Sequence, residues 1–365
     1  MAKNNKIPKC PPLRFPQFND QWKQTTLGEI LAIGNGKDYK HLLKGNIPVF
    51  GTGGYMTSVN QFLMDGESVF IGRKGTIDKP FYYNGKFWTV DTLFYTHSFV
   101  NSSPRFVLYL FSNINWLEYN EASGVPSLSK TTISKIQIFS PQIAEQEKIA
   151  SFLSLIDERI QSCSETIKER KREKAALLNQ LFSQKLRFPQ FSDEWQQTML
   201  GEIAEILNSR RKPITSSDRV RGDYPYYGAS GIIDYVNEYI FDEQLLLIGE
   251  DGAKWGKDEK TAFIVNGRCW VNNHAHVLRF QNYPTYKLIE AFFFSLNLKP
   301  FVTGDAPPKL TLENLKSILI HFPSLAEQEK IADFLSLIDE RIEVEEELLE
   351  QYERQKRYLL KQMFI

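Results

Sequence analysis

PQIAEQEKIASFLSLIDERI at residues 141–160 returns as PSLAEQEKIADFLSLIDERI at residues 323–342, identical at seventeen of twenty positions. A repeat this close decides the architecture before any single residue is weighed. A second pair accompanies it: LRFPQFNDQWKQTTLGEI at Leu13 to Ile30 recurs as LRFPQFSDEWQQTMLGEI at Leu186 to Ile203, identical at fourteen of eighteen. The offsets are 173 for this pair and 182 for the first, so the second middle is nine residues longer. The chain is therefore one unit written twice.

The middles share only a skeleton. Ile47-Pro-Val-Phe-Gly51 answers Tyr224-Pro-Tyr-Tyr-Gly228, Ile71-Gly72 answers Ile248-Gly249, and Asn84-Gly85 with Trp88 answers Asn266-Gly267 with Trp270. Near-identical ends around dissimilar middles suggest one scaffold carrying two different reading surfaces. Short runs of Val, Ile, Phe and Tyr punctuated by Gly, Asn-Gly and Asp-Gly turns predict an α+β or mostly β middle. Ser68 to Ile71 and Leu245 to Ile248 read as equivalent strands, and Pro104 to Leu117 and Tyr286 to Leu298 as equivalent helices.

The segments after Pro141 and Pro323 begin with a proline and continue in Ala, Glu, Gln and Lys, which predicts helices of about 40 residues, about 60 Å at about 1.5 Å per residue. Each carries a seam at alternating spacings of four and three. In the first the seam is Ile149, Leu153, Ile156, Ile160, Cys163, Ile167, Leu177 and Leu181, interrupted by Arg170 and Lys174. In the second it is Ile331, Leu335, Ile338, Ile342, Leu349, Tyr352, Leu359 and Met363, interrupted by Glu345 and Lys356. Pairing the helices antiparallel buries both seams and relates the halves by a pseudo-twofold axis. The segments are then residues 1–140, the helix 141–185, residues 186–322 and the helix 323–365.

With 42% hydrophobic and 24% charged residues the composition is that of globular protein. Three scattered cysteines match no zinc spacing and suit a reducing compartment, so the cytoplasm is expected. The first residues lack the apolar core of a signal peptide, and no apolar run is long enough to cross a bilayer, so no membrane partner is expected. The net charge of zero hides an asymmetry: residues 1–140 hold 15 Lys and Arg against 9 Asp and Glu, and residues 323–365 hold 6 against 11.

Taken together, the LRFPQF…W…LGEI anchors, the AEQEKIA.FLS.ID.RI helix starts and the paired Y/I-P-x-Y/F-G and N-G…W signatures resemble the specificity subunit of Type I restriction-modification systems from Leu13 onward. The resemblance implies two pseudo-twofold-related target-recognition domains, residues 1–140 and 186–322, separated by an antiparallel coiled coil of two long helices. It implies a subunit that reads an asymmetric, bipartite sequence in double-stranded DNA, one half per domain. It further implies docking of two methylation subunits, which modify adenine at N6 with S-adenosylmethionine, and of restriction subunits, which cleave with ATP and Mg. No cofactor, metal or catalytic residue is expected in this chain. Two other readings stand beside it: an enzyme with its own methyltransferase or nuclease site, and a coiled-coil scaffold that binds no DNA.

Both copies place a basic stretch before the Pro-containing skeleton: Lys37, Lys40, His41 and Lys44 in the first, and Arg210, Arg211, Lys212, Arg219 and Arg221 in the second. Lys and Arg neutralise phosphates, and Arg also bonds guanine through O6 and N7. Arg73 and Lys74 follow a strand end where the second copy has Glu250 and Asp251. A carboxylate can accept from cytosine N4, so the inversion suits two domains reading different bases.

The enzyme motifs are incomplete. Gly51-Thr-Gly-Gly54 and Gly228-Ala-Ser-Gly231 lack the G-x-G-x-x-G pattern and read as turns. Asp305-Ala-Pro-Pro308 is similar to an adenine-methyltransferase Asp-Pro-Pro-aromatic motif, but Ala306 intrudes and Lys309 replaces the aromatic. Asp242 with Asp258-Glu-Lys260 has loose nuclease spacing and no counterpart in the first copy. His274 and His276 alternate as on a strand without a third ligand nearby, and Lys168, Arg170, Lys171 and Arg172 read as a solvated helix face.

Overall fold

The structure is a computed structural model and describes residues 10–304 and 307–365. The chain divides into two compact units, Met1–Ser164 with Glu347–Ile365, and Glu165–Glu346. Each unit thus holds one globular domain and parts of both long helices, Ile143–Phe182 and Leu325–Met363.

In the first unit a six-stranded sheet runs in the order Ala32–Asn35, Leu93–His97, Met64–Gly72, Phe81–Thr89, Lys44–Gly51, Gly54–Val59. Every neighbour is antiparallel except Lys44–Gly51 with Phe81–Thr89, where Val49 faces Trp88. The expected turns at Asp65-Gly66 and Asn84-Gly85 are corrected here, because both lie inside long paired strands. Gly66 faces Gly85 across the ladder with φ of +131° and +129°, a backbone conformation in which a Cβ would be strained. The second unit splits the same strands into two four-stranded sheets, and Gly267, φ +78°, separates Ala262–Val265 from Arg268–Val271. Its helix spans Tyr283–Ser295, starting before the expected Tyr286 because the Asn282 side chain accepts from the Thr285 N–H and Pro284 follows at the start. The first-unit helix stops at Asn113 and gives way to a 3-10 turn, Trp116–Tyr119.

The repeated anchors build a clamp. In the first unit Arg14 donates two bonds of 2.6 Å to the buried Glu145 carboxylate, and Trp22 Nε1 adds a third at 3.3 Å. In the second unit Arg187 donates two of 2.8 Å to Glu327, with Trp195 Nε1 at 3.1 Å. Both carboxylates sit in the first turn of a long helix, where the helix dipole favours negative charge. The adjoining Gln146 and Gln328 are buried as well.

Within each unit the helix segments pair antiparallel. In the first, the Leu13 N–H bonds the Gln362 carbonyl while Arg14 holds Glu145, and Asp157 meets Lys356 at 2.6 Å. In the second, Lys171 meets Glu346 at 2.6 Å and Lys174 meets Asp339 at 2.5 Å. The seam residues Ile149, Leu153, Ile156, Ile167, Leu181, Ile331, Leu335, Ile342 and Leu359 are buried. Ile160, Ile338 and Leu349 are half-buried. Leu177 is half-buried too, beside Leu181, Phe334 and Leu335, and its neighbour Leu178 is fully buried against the cluster of Trp195, Leu288 and Ile331. On the charged face Lys168, Lys171 and Arg172 are exposed, but Arg170 is half-buried.

The interrupting lysines have partners. Lys174 shares Asp339 with Lys287, whose ammonium is itself buried. Burial alone would raise the Asp339 carboxyl, but Lys174 and Lys287 outweigh it and hold it below the ordinary carboxylate value. Asp339→Ala leaves the Lys174 ammonium without its carboxylate and the buried Lys287 with Glu290 alone, at 2.9 Å, and is expected to cost about 2–3 kcal/mol. Asp157→Ala takes the carboxylate from the more exposed Lys356 and from the Tyr109 hydroxyl, which donates to it at 2.8 Å, and is expected to cost about 1 kcal/mol. Urea-unfolding midpoints of the two variants give the comparison, and equal losses would contradict this assignment of partners.

Candidate nucleic-acid interface

Both basic stretches hang from a tryptophan. Trp88 Nε1 donates to the Lys37 carbonyl at 2.8 Å, and Trp270 Nε1 to the Lys212 carbonyl at 2.6 Å. The Lys37 and Lys212 N–H groups donate in turn to the carbonyls of Thr89 and Val271, the residues after the tryptophans. Lys37 and Lys212 are therefore equivalent, with side chains in solvent. The Trp of the N-G…W signature is the feature from which this equivalence was legible.

The remaining basic residues divide. Lys40, Lys44 and Arg221 are exposed. Arg210 bonds Glu243 at 2.7 Å and lies over the Phe241 ring. Arg211 and Arg219, read from sequence as DNA-contact candidates, are turned into the scaffold. Arg211 donates to Glu250 at 2.5 Å and to the Ala275 carbonyl at 2.7 Å, and Arg219 lies over Tyr226 with Asp234 at 3.3 Å.

Arg73 and Glu250 occupy one backbone frame. The Arg73 N–H donates to the Thr92 carbonyl and its carbonyl accepts from Leu128; the Glu250 N–H donates to His274 and its carbonyl accepts from Leu310. On that frame the first unit opens a cleft of about 540 Å³ lined by Arg73, Lys74, Asp91, Thr92, Val125 and Ser127. Burial and, after it, the neighbouring Arg73 push the Lys130 ammonium below its ordinary value.

In the second unit the same position is neutralised from within. Glu250 meets Arg211 at 2.5 Å and Lys309 at 2.7 Å, and these cations, against the effect of burial, hold it below the ordinary carboxylate value. Its carboxylate is thus occupied, and the expectation that it accepts from a base is corrected. Asp251 pairs with the half-exposed His274 at 2.5 Å. His276 is buried, bonded to Asn208 and the Leu310 carbonyl, so the two histidines do not converge.

The other motif residues are scattered. Asp242 pairs with Arg268 at 3.1 Å, and Glu259 accepts from the Gly256 N–H at 2.6 Å. Asp305 and Ala306 lie outside the described residues. Gly54 and Gly231, φ +100° and +128°, close matching hairpin turns, which gives the glycine clusters their role. Among the described residues no three His, Cys, Asp or Glu side chains group as a metal site.

The sequence signature described as the Type I restriction modification DNA specificity domain matches residues 19–170 and again 192–354. The chain belongs to this family. Over 145 residues it is 37% identical to a Haemophilus influenzae protein named as a putative type I restriction enzyme specificity subunit, covering 40% of this chain and 37% of that one. Over 161 residues it is 28% identical to the Escherichia coli type I restriction enzyme EcoprrI specificity subunit, covering 43% and 39%. The matches thus span well under half the length of these relatives. The crystal structure of a type I system S subunit from Mycoplasma genitalium shares the fold with a TM-score of 0.69 at 18% identity, over 98% of this chain and 99% of that one. The fold is accordingly α+β with two recognition domains and two long helices. Among the described residues no helix is long and apolar enough to cross a membrane.

Proposed function

We propose that this chain is the DNA sequence-recognition subunit of a type I restriction-modification complex and reads an asymmetric bipartite target, one half per domain. The observation that carries the reading is the pair of equivalent frames at Arg73 and Glu250, one placing Arg73 and Lys74 in the lining of a cleft and the other neutralised by Arg211 and Lys309. One scaffold with opposite electrostatics at one position suits two readers of different half-sites. Lys37, Lys40, Lys44, Arg73, Lys74, Lys212 and Arg221 are the side chains proposed to meet DNA, and Arg210 joins them if Glu243 releases it.

The chain contributes recognition, and catalysis is assigned to its partners. Two methylation subunits would use S-adenosylmethionine and restriction subunits ATP and Mg, with no cofactor held by this chain. Incubated alone with DNA and each cofactor, the purified chain is expected to bind duplex and to transfer no methyl group and cut no strand. Methyl transfer by the isolated chain, measured with labelled S-adenosylmethionine, would overturn the reading.

A further inference from the structure

Each domain turns the apolar residues of one hairpin outward. Gly54–Val59 is the outermost strand of its sheet, and so is Gly231–Val236. On and beside these strands Leu43, Tyr55, Met56 and Phe62 in the first unit, and Val220, Ile232, Ile233 and Tyr239 in the second, are each between 40% and 72% exposed. One shift of 177 residues relates all four pairs. The backbone confirms the match: Asn60 N–H bonds the Leu43 carbonyl at 2.9 Å, and Asn237 N–H the Val220 carbonyl at 3.0 Å.

Cations accompany both edges. Lys44 and Arg221, related by the same shift, open the adjoining strands opposite Val59 and Val236. Lys86 Nζ lies 5.1 Å over the Phe62 ring, and the Arg268 guanidinium 5.0 Å over the Tyr239 ring. Arg268 also pairs with Asp242, but both are half-exposed, and such pairs are weak in solvent.

An apolar edge strand invites aggregation and is ordinarily blunted by charge, proline, a bulge or a cover; each of these edges has a bulge in its ladder, at Val49/Phe50 and at Tyr226/Tyr227, and still exposes its apolar residues. Here such an edge occurs twice, in sequence that otherwise diverges. The side chains differ between copies, Tyr-Met against Ile-Ile and Lys against Arg, yet the chemical class is kept at the four apolar pairs and at Lys44 and Arg221, although Thr57 is answered by Asp234 and Gln61 by Glu238. At Arg73 and Glu250 the class is reversed. A contact of one class in both domains serves what both half-sites share, which is the sugar–phosphate backbone and not the bases.

We infer that these two hairpin edges form a sequence-independent grip on duplex DNA, with Lys44, Lys86, Arg221 and Arg268 on phosphates and Tyr55-Met56 and Ile232-Ile233 against deoxyribose. The inference rests on the proposed function and divides the surface into gripping and reading parts. The flanking cations favour DNA over a second protein as the occupant.

The test uses the chain assembled with its methylation subunits and two labelled duplexes, one carrying the target mapped by adenine methylation and one with both half-sites scrambled. Fluorescence anisotropy is followed across a salt series. Lys44→Gln with Lys86→Gln weakens both duplexes by the same factor and flattens the slope of log affinity against log salt by about 1 for each ammonium group removed, about 2 in all. Tyr55→Ser with Met56→Ser weakens both equally and leaves the slope alone. Unchanged urea midpoints show that these exposed changes leave the fold intact. A loss confined to the target duplex would overturn the grip by making the edge a reader. Unchanged DNA binding with failed assembly would overturn it by making the edge a protein-docking surface. Failure of the unaltered complex to bind either duplex overturns the proposed function itself, and the grip with it.

Discussion

Glu145→Ala is expected to lower the stability of the first unit by about 3 kcal/mol or more. The carboxylate is 1% exposed and accepts two bonds from Arg14 and one from Trp22. Removing it leaves a part-buried guanidinium and a buried indole N–H without this acceptor, and the cost of a broken buried pair lies in the uncompensated partner. Against a domain stability of about 5–15 kcal/mol that is a large fraction. Glu327→Ala acts in the same direction on the second unit through Arg187 and Trp195. Urea unfolding followed by tryptophan fluorescence reads the loss, since an indole touches each carboxylate. The double change Arg14→Met with Glu145→Met recovers part of it, because an apolar pair strands no charge. A Glu145→Ala midpoint equal to that of the unaltered chain would contradict the clamp.

This clamp explains why the ends of the two copies match so closely. The LRFPQF…W and AEQEK anchors supply Arg14, Trp22 and Glu145, and again Arg187, Trp195 and Glu327, so each anchor is constrained by the other. Their repetition, together with the four-three spacing, made the long helices and the two-copy plan legible from sequence. The interruptions at Lys174 and Lys356 were legible as breaks but not as pairs. Their carboxylate partners lie on the other helix, and sequence spacing does not report which residues face across.

Other features depended on long-range geometry. Asp65-Gly66 and Asn84-Gly85 have the composition of turns, but strand pairing places them opposite one another, and tertiary context overrides the local signal. The orientation of Arg211 was hidden for a similar reason. Its acceptors, Glu250 just past a strand end and the Ala275 carbonyl, arrive from 39 and 64 residues away. The matched placement of the two basic stretches was visible, whereas which guanidinium faces solvent is fixed by packing. Lys130, which joins the charge at Arg73, belongs to a segment that carried no motif.

The second large effect concerns specificity. Replacing Ala32 to Ser140 with the corresponding middle of another family member keeps the Arg14–Trp22–Glu145 clamp and exchanges the cleft of Arg73 and Lys74 along with the Trp88 frame. The second domain, with its neutralised Glu250, is untouched. The chimera is therefore expected to change one half of the target completely and to leave the other half and the spacing between them unaltered. Base-specific contacts are each worth about 1–3 kcal/mol, so exchanging several moves recognition from one sequence to another and does not merely weaken it.

Sequencing methylated adenines in a host that supplies the methylation subunits, with the unaltered chain, with the chimera and with neither, tests the two-reader account most directly. The account predicts a bipartite motif that requires the chain, and a chimera motif sharing one half and the same gap. Methylation that persists without the chain, or a chimera in which both halves change, would contradict it.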